Sequence, residues 1–121
     1  MADTIPEDED LQNASINIRN AIIHLQSPNE AEFLEAPHML QLAFYALRRV
    51  YNSTKSEGIK KGLKTILPIL RKDYDGIRKG EAQRVINVGV TTAAYLKFIN
   101  DVVDELNTIN NQYLFPLLST S

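Results

Sequence analysis

The feature that most constrains the fold is a long run of helical spacing in the last third of the chain, Glu81–Leu118. Apolar or small residues recur there every three or four positions, and Asn110 is the only strongly polar interruption: Val85, Gly89, Thr92, Leu96, Ile99, Val103, Leu106, Tyr113 and Leu117. This spacing keeps one stripe on one side of a helix. Because such a stripe must be covered by a matching surface, the spacing predicts a helical bundle.

The rest of the chain shows the same period between clear boundary signals. We predict helices over 10–26, 28–35, 37–51 and 56–79. Ser27 and Pro28 mark one start and Pro37 a second, because proline fits the first turn of a helix but not its interior. Ser56 is a capping residue, and Gly80 after two basic residues is a typical helix end. We expect a kink at Pro68 and an end of the last helix at Pro116.

One segment permits another interpretation. Residues 85–92 are rich in β-branched side chains, and Ile86, Val88 and Val90 alternate with small or polar residues, as in a strand. No other segment offers an alternating partner strand, so a helix is favoured. The predicted fold is therefore all-α: an antiparallel bundle of four to five helices with a long C-terminal helix, formed by residues 10–118, after a disordered acidic tail over 1–9.

The net charge of -2 conceals a strong separation of charge along the chain. Residues 48–84 hold eleven of the thirteen basic residues and four acidic ones, so that this segment carries +7 and the remainder -9. Five acidic residues lie within the first ten positions. A solvated basic helix face is one interpretation, and binding of an anionic partner, with the acidic tail competing for the same surface, is the other.

Signals for catalysis and cofactor binding are weak. Cysteine is absent, which excludes thiolate chemistry and cysteine zinc sites. Glu35 and His38 have the Glu-x-x-His spacing of di-iron bundles, but His24, the only other histidine, has Ala21 three positions before it. We therefore predict no catalytic residue, metal or cofactor. Apolar stretches fall far short of the ~18 residues of a membrane span, and no secretory signal is evident, so a soluble cytoplasmic protein is expected.

These observations favour a small non-enzymatic protein-binding or regulatory module, of the adaptor, inhibitor or immunity type, that presents a helix face to another protein or to a second copy of itself. The predicted interface residues are apolar side chains beside the two prolines: Phe33, Leu34, Leu114, Phe115, Leu117 and Leu118. Tyr45 and Tyr51 are expected in the core.

The alternative is a nucleic-acid-associated protein that uses the basic segment, and a metal-dependent bundle enzyme is the least favoured third class. The residues for an anionic partner would be basic side chains of 48–79: Arg48, Arg49, Lys60, Lys61, Lys64, Arg71, Lys72, Arg78 and Lys79. On an ideal helix, four of these project most nearly the same way: Lys61, Lys64, Arg71 and Lys72. The pI of about 5.6 is unlike that of a basic DNA-binding module.

Overall fold

A computed structural model describes residues 6–27, 30–86 and 93–119, and the regular elements in these ranges are all helices. In chain order they are α1 (Pro6–Leu25), α2 (Glu30–Phe33), α3 (Ala36–Ser53), α4 (Glu57–Ile86), α5 (Ala93–Thr108), a π-helix (Ile109–Leu114) and α6 (Phe115–Ser119). We refer to α5, the π-helix and α6 together as the C-terminal segment. The predicted all-α antiparallel bundle with a long C-terminal helix is confirmed.

Helix α1 begins at Pro6, four residues before its predicted start. The disorder predicted for residues 1–9 is therefore wrong from Pro6 onward, and residues 1–5 lie outside the described ranges. Proline suits the first helical position because its missing N–H would have no partner there. The acidic residues that follow it are favoured by the positive end of the helix dipole. Asp10 also forms an ion pair with Arg49 of α3, at 3.1 Å.

The most extensive helix packing joins α1 to α3. Apolar residues at helical spacing on the two helices are buried in the common core: Leu11, Ala14, Ile18, Ala21, Ile22 and Leu25 from α1, and Leu40, Ala43, Leu47 and Val50 from α3. Phe44 and Tyr51, on the same side of α3, are half-buried. Ile16 and Ile23 flank the buried residues of α1, and their side chains are 52% and 58% exposed. They lie beyond the width of surface that α3 covers.

The restart of the helix at Pro37 is confirmed. Helix α2 ends at Phe33, a turn follows, and α3 begins at Ala36 with the proline in its first turn. The start predicted at Pro28 lies outside the described residues. At the next boundary, the N–H of Ile59 donates to the Ser56 hydroxyl at 3.3 Å, as expected for a capping serine.

Helix α4 is longer than the sequence signals indicate. It continues through Pro68 and Gly80 to Ile86, so the predicted end at Gly80 and the predicted new helix at Glu81 are both wrong. Glycine within a helix costs only about 1 kcal/mol relative to alanine, so it permits a helix end without imposing one. Residues 87–92, where the strand alternative was centred, lie outside the described ranges.

The C-terminal segment contains a change of helix type that shifts its buried stripe. In the π-helix the hydrogen bonds span five residues, and the Phe115 N–H donates to the Asn110 carbonyl oxygen. As a consequence Leu114 is buried, whereas Tyr113 of the predicted stripe is exposed. The helix also continues past Pro116, where its end was predicted. Because α6 follows the π-helix without a break, the N–H that Pro116 lacks leaves one hydrogen bond of this continuous helix unmade.

Two glycines of α4 allow the C-terminal segment to approach closely. A Cβ atom at Gly76 would collide with the ring of Phe98. A Cβ atom at Gly62 would lie 3.1 Å from a methyl group of Leu117. Helix α4 and the C-terminal segment therefore pack with side chains of one lying over the bare backbone of the other.

Candidate functional site

Among the charged side chains whose burial the structure describes, only that of Asp73 is buried, on the face of α4 that meets α5. It is 2% exposed and lies beside the carboxyl group of Glu105. Burial, the charge of Glu105 and the hydrogen bond that a protonated Asp73 can donate to Glu105 raise the pKa of Asp73 to about 7, while the charge of Lys72 opposes the increase. Lys72 Nζ lies 3.3 Å from Glu105 Oε1.

This carboxyl pair was missed by the sequence reasoning. Glu105 is half-buried, whereas Asp101 and Asp104, the other carboxylates of the same stretch of α5, are exposed. The sequence does contain a signal for the burial of Asp73. The residue falls three positions after Leu70 and four before Ile77, which places it on the buried stripe of α4. The pair can hold one proton between the helices, but Asp73 has almost no surface through which a substrate could reach it.

Two of the six predicted interface residues are buried within the chain. Phe33 closes one end of the core and Leu114 is fully covered, so neither side chain offers a surface to a partner. Leu34 and Phe115 are exposed, and Leu117 and Leu118 are half-buried against the core. The burial of Leu114 follows from the phase shift in the π-helix, which the sequence pattern did not reveal.

Two of these candidates, Phe115 and Leu118, line a groove of about 160 Å³ between α1 and the C-terminal segment, whereas Leu34 and Leu117 do not. We call this the α1–C-terminal groove; its lining residues are Ser15, Arg19, Ile22, Ile23, Asn107, Asn110, Asn111, Phe115 and Leu118. Phe115 is 64% exposed at one side and Ile23 is exposed at the other. At its floor, Asn110 Nδ2 donates to the Ser15 carbonyl oxygen at 3.2 Å, which ties the π-helix to α1.

A second surface lies between α3 and α4, where two grooves follow each other along the helices. The first, of about 280 Å³, is lined by Leu40, Gln41, Phe44, Tyr45, Arg48, Leu70, Arg71, Tyr74 and Asp75. The second, of about 420 Å³, is lined by Tyr51, Glu57, Lys60, Lys61 and Lys64. We call the two grooves together the α3–α4 face. Tyr45, expected in the core, is 47% exposed here, and Tyr51 is half-buried.

The nine basic candidates are all exposed, but the structure separates them. Five line the α3–α4 face: Arg48, Lys60, Lys61, Lys64 and Arg71. Arg49 is directed to Asp10 of α1, and Lys72 to Glu105 of α5. The expectation that Lys72 shares a direction with Arg71 is therefore wrong, because the two residues lie on different sides of α4. Arg78 and Lys79 do not line either groove.

The residues considered for metal binding or proton transfer are dispersed. Glu35 and His38 are both exposed at the start of α3, and His24 is half-buried on α1. Within the described ranges, no three histidine or carboxylate side chains come together as a metal site would require. The helices of those ranges also include none that is both long enough and apolar enough to cross a membrane.

Comparison with known proteins gives no relative of this chain. No protein-family model matches it, and no significant match was found among curated proteins or solved structures.

Proposed function

We propose that this chain is a small non-enzymatic protein-binding module, of the adaptor, inhibitor or immunity type, that binds a partner protein through the α1–C-terminal groove. The observation that carries the proposal is the grouping of exposed apolar side chains at this groove. Ile23 and Phe115 are both more than half exposed on its two sides. Apolar side chains gathered at a concave surface are typical of sites where another protein docks.

The groove has the form that accepts one or two apolar side chains from a partner helix. Ile22 and Leu118 supply apolar walls, while Arg19, Asn107 and Asn111 supply polar groups around them. This arrangement of an apolar centre with a polar rim is common in protein interfaces. Ile16, also exposed, lies two helical turns before Ile23 and extends the apolar surface along α1.

The partner is expected to present an amphipathic helix, because a shallow groove between two helices accommodates apolar side chains spaced at three and four residues. A second copy of this chain would satisfy the same chemistry through its own α1 surface. We place the proposed module in the cytoplasm, and imaging of the tagged chain would check that location.

The proposal is tested by capturing partners with the whole chain and with two groove variants, Ile23→Asp and Phe115→Glu. The matched control is Leu96→Glu, because Leu96 is an exposed leucine of α5 that does not line the groove. A partner bound by wild type and by the control, then purified, should bind each groove variant at least tenfold more weakly in calorimetry. Sedimentation analysis of wild type and Phe115→Glu would show whether the partner is a second copy.

Equal binding by the wild type, the groove variants and the control would exclude this surface. The groove substitutions are expected to leave the fold intact because both side chains are already largely exposed. Circular dichroism spectra that match wild type would verify this before binding is compared.

A further inference from the structure

We propose that the α3–α4 face is a binding site for single-stranded nucleic acid, distinct from the protein-binding groove. No residue lines both surfaces, since the α1–C-terminal groove is formed by α1, α5, the π-helix and α6. The proposal depends on the combination of basic and aromatic side chains along one direction of the bundle. That combination is what single strands require, with cations for the phosphates and aromatic rings for the bases.

The cations come from both helices and are available. Arg48 and Arg71 line the first groove from opposite helices, and neither forms an ion pair with any residue of the described ranges. Lys60, Lys61 and Lys64 occupy one turn of α4 at the second groove. The carboxylates of Asp75 and Glu57 also line the two grooves. Five cations against two anions leave this face positive, although the whole chain is negative.

The aromatic side chains lie between these cations. Phe44, Tyr45 and Tyr74 line the first groove, and Tyr51 the second. Tyr45 is the most exposed of them, and its ring meets that of Phe44 edge to face at 6.1 Å, which supports it from one side. Lys60 Nζ lies 5.4 Å from the centre of the Tyr51 ring. Tyr45 is therefore the ring that can best accept a stacked base.

The two grooves form one track because their residues are in phase along each helix. Arg48 and Tyr51 are three residues apart on α3, and Lys64 and Arg71 are seven apart on α4, so each pair shares a helix face. A strand lying along this track would meet lysines at one end and aromatic rings with two arginines at the other. A duplex would present no free base to Tyr45 and would contact the lysines alone.

The test measures binding of fluorescein-labelled dT20 by anisotropy over a salt series, beside a duplex of the same length and a glutamate 20-mer. We expect saturable binding of dT20 at 50 mM salt, with the logarithm of the affinity falling against that of salt at a slope of about -2 to -3.5, as three to five phosphate contacts to a single strand require. Binding of the duplex should be weaker.

Three variants locate the site. Lys61→Glu combined with Lys64→Glu should reduce the affinity for dT20 at least tenfold and flatten the salt dependence. Tyr45→Ala should reduce affinity at least fivefold without changing the salt slope, because it removes stacking and no charge. Lys97→Glu, which makes half of that charge change at an exposed lysine of α5 outside the grooves and is matched to Lys64→Glu alone, should alter affinity less than twofold.

Several outcomes would overturn the proposal. The absence of dT20 binding at 50 mM salt would do so. A loss of dT20 affinity in Lys97→Glu as large as that in the double lysine variant would also do so, since binding would then be non-specific electrostatic attraction. Tighter binding of the glutamate 20-mer than of dT20 would identify an acidic protein segment as the occupant instead. Since Tyr45 and both lysines are exposed, their variants are expected to retain the wild-type circular dichroism spectrum, which separates loss of binding from unfolding.

Discussion

The α1–α3 pair and the pairing of α4 with the C-terminal segment are built in different ways. Between α1 and α3, two regular stripes of aliphatic side chains meet, and the ion pair of Arg49 with Asp10 lies at the surface. Between α4 and the C-terminal segment, the contact includes a buried carboxyl pair, two glycines beneath side chains of the other helix, and a π-helix. The α1–α3 contact depends on apolar burial. The contact between α4 and the C-terminal segment also depends on protonation of the buried carboxyl pair and on a close approach of the two backbones.

A bundle can therefore combine one helix pair whose stability is independent of pH with another whose stability depends on pH. Burial of apolar side chains contributes the same stability at every pH. A buried carboxyl group destabilises the fold once it loses its proton, unless a positive charge or hydrogen bonds compensate its negative charge. Opening of the C-terminal segment should therefore require less free energy than separation of α1 from α3.

The largest effect is expected from Leu47→Ala in α3. Its side chain is fully buried, and loss of such a side chain leaves a cavity that costs about 3–5 kcal/mol. Urea denaturation should show this loss equally at pH 5 and pH 8. A loss that differed by more than about 1 kcal/mol between the two would show that the α1–α3 half is coupled to titration.

The second effect concerns the pH dependence of stability. Because the pKa of Asp73 is about 7 in the folded chain and near 3.8 in the unfolded one, the unfolded state releases the proton first as pH rises. The free energy of unfolding should therefore fall between about pH 4 and pH 7, by at most about 4 kcal/mol at 1.36 kcal/mol for each pKa unit. Asp73→Asn should remove most of this decline.

The exposed carboxylate of Asp101 provides the control for that measurement. Asp101→Asn should keep the wild-type pH profile. A profile for Asp73→Asn that also follows wild type would show that the buried pair does not control the decline. Hydrogen-exchange protection factors, which correct for the faster intrinsic exchange at higher pH, would localise the effect, with a lower protection factor at pH 8 than at pH 5 expected in α5 and not in α1.

The third effect compares two glycines of α4. Gly76→Ala should destabilise the chain by about 1–3 kcal/mol, because the new methyl group must displace the Phe98 ring. Gly58→Ala should instead stabilise it by up to about 1 kcal/mol, since its nearest neighbour is the Ser56 hydroxyl at 3.8 Å and alanine is the better helix former. Thermal unfolding of both variants would check this, and equal shifts would contradict the close packing at Gly76.

The smallest effect is expected from the ion pair of Arg49 and Asp10. The Arg49 side chain is largely exposed, so solvent screens the pair, and a double-mutant cycle with alanine should give about 0.2–1 kcal/mol. A coupling above about 2 kcal/mol would mean that charge contributes substantially to the α1–α3 contact. The α1–α3 contact would then depend on charge as well as on apolar burial.

The sequence predicted the regular half of the molecule better than the irregular half. The stripes of α1 and α3 and the restart at Pro37 could be found because spacing and proline chemistry act locally. Local signals gave a wrong helix end at Gly80, because glycine permits a helix to end but does not force it to. They also gave no sign of the π-helix, because the one-residue shift in the buried stripe hardly changes which residue types occur in it.

The candidate surfaces were predicted in part for a similar reason. Phe115 and the lysines of α4 could be named from the sequence, because apolar and charged side chains near helix ends are recognisable there. The groove partners could not, since Tyr45 was expected in the core and the exposure of Ile23 depends on how much of α1 the neighbouring helices cover. The joining of Asp73 to Glu105 depends on the register between two helices, which no single segment encodes.

The π-helix over Ile109–Leu114 has a consequence for changes in chain length. A residue added to an ordinary α-helix rotates everything after it by about 100°, whereas a widened turn absorbs it and leaves the following side chains in place. Removal of one residue here would therefore tighten the turn and keep Phe115 facing the same way. The same deletion within α5 would rotate the following residues, including α6, about the helix axis. Their apolar side chains would then face away from the bundle.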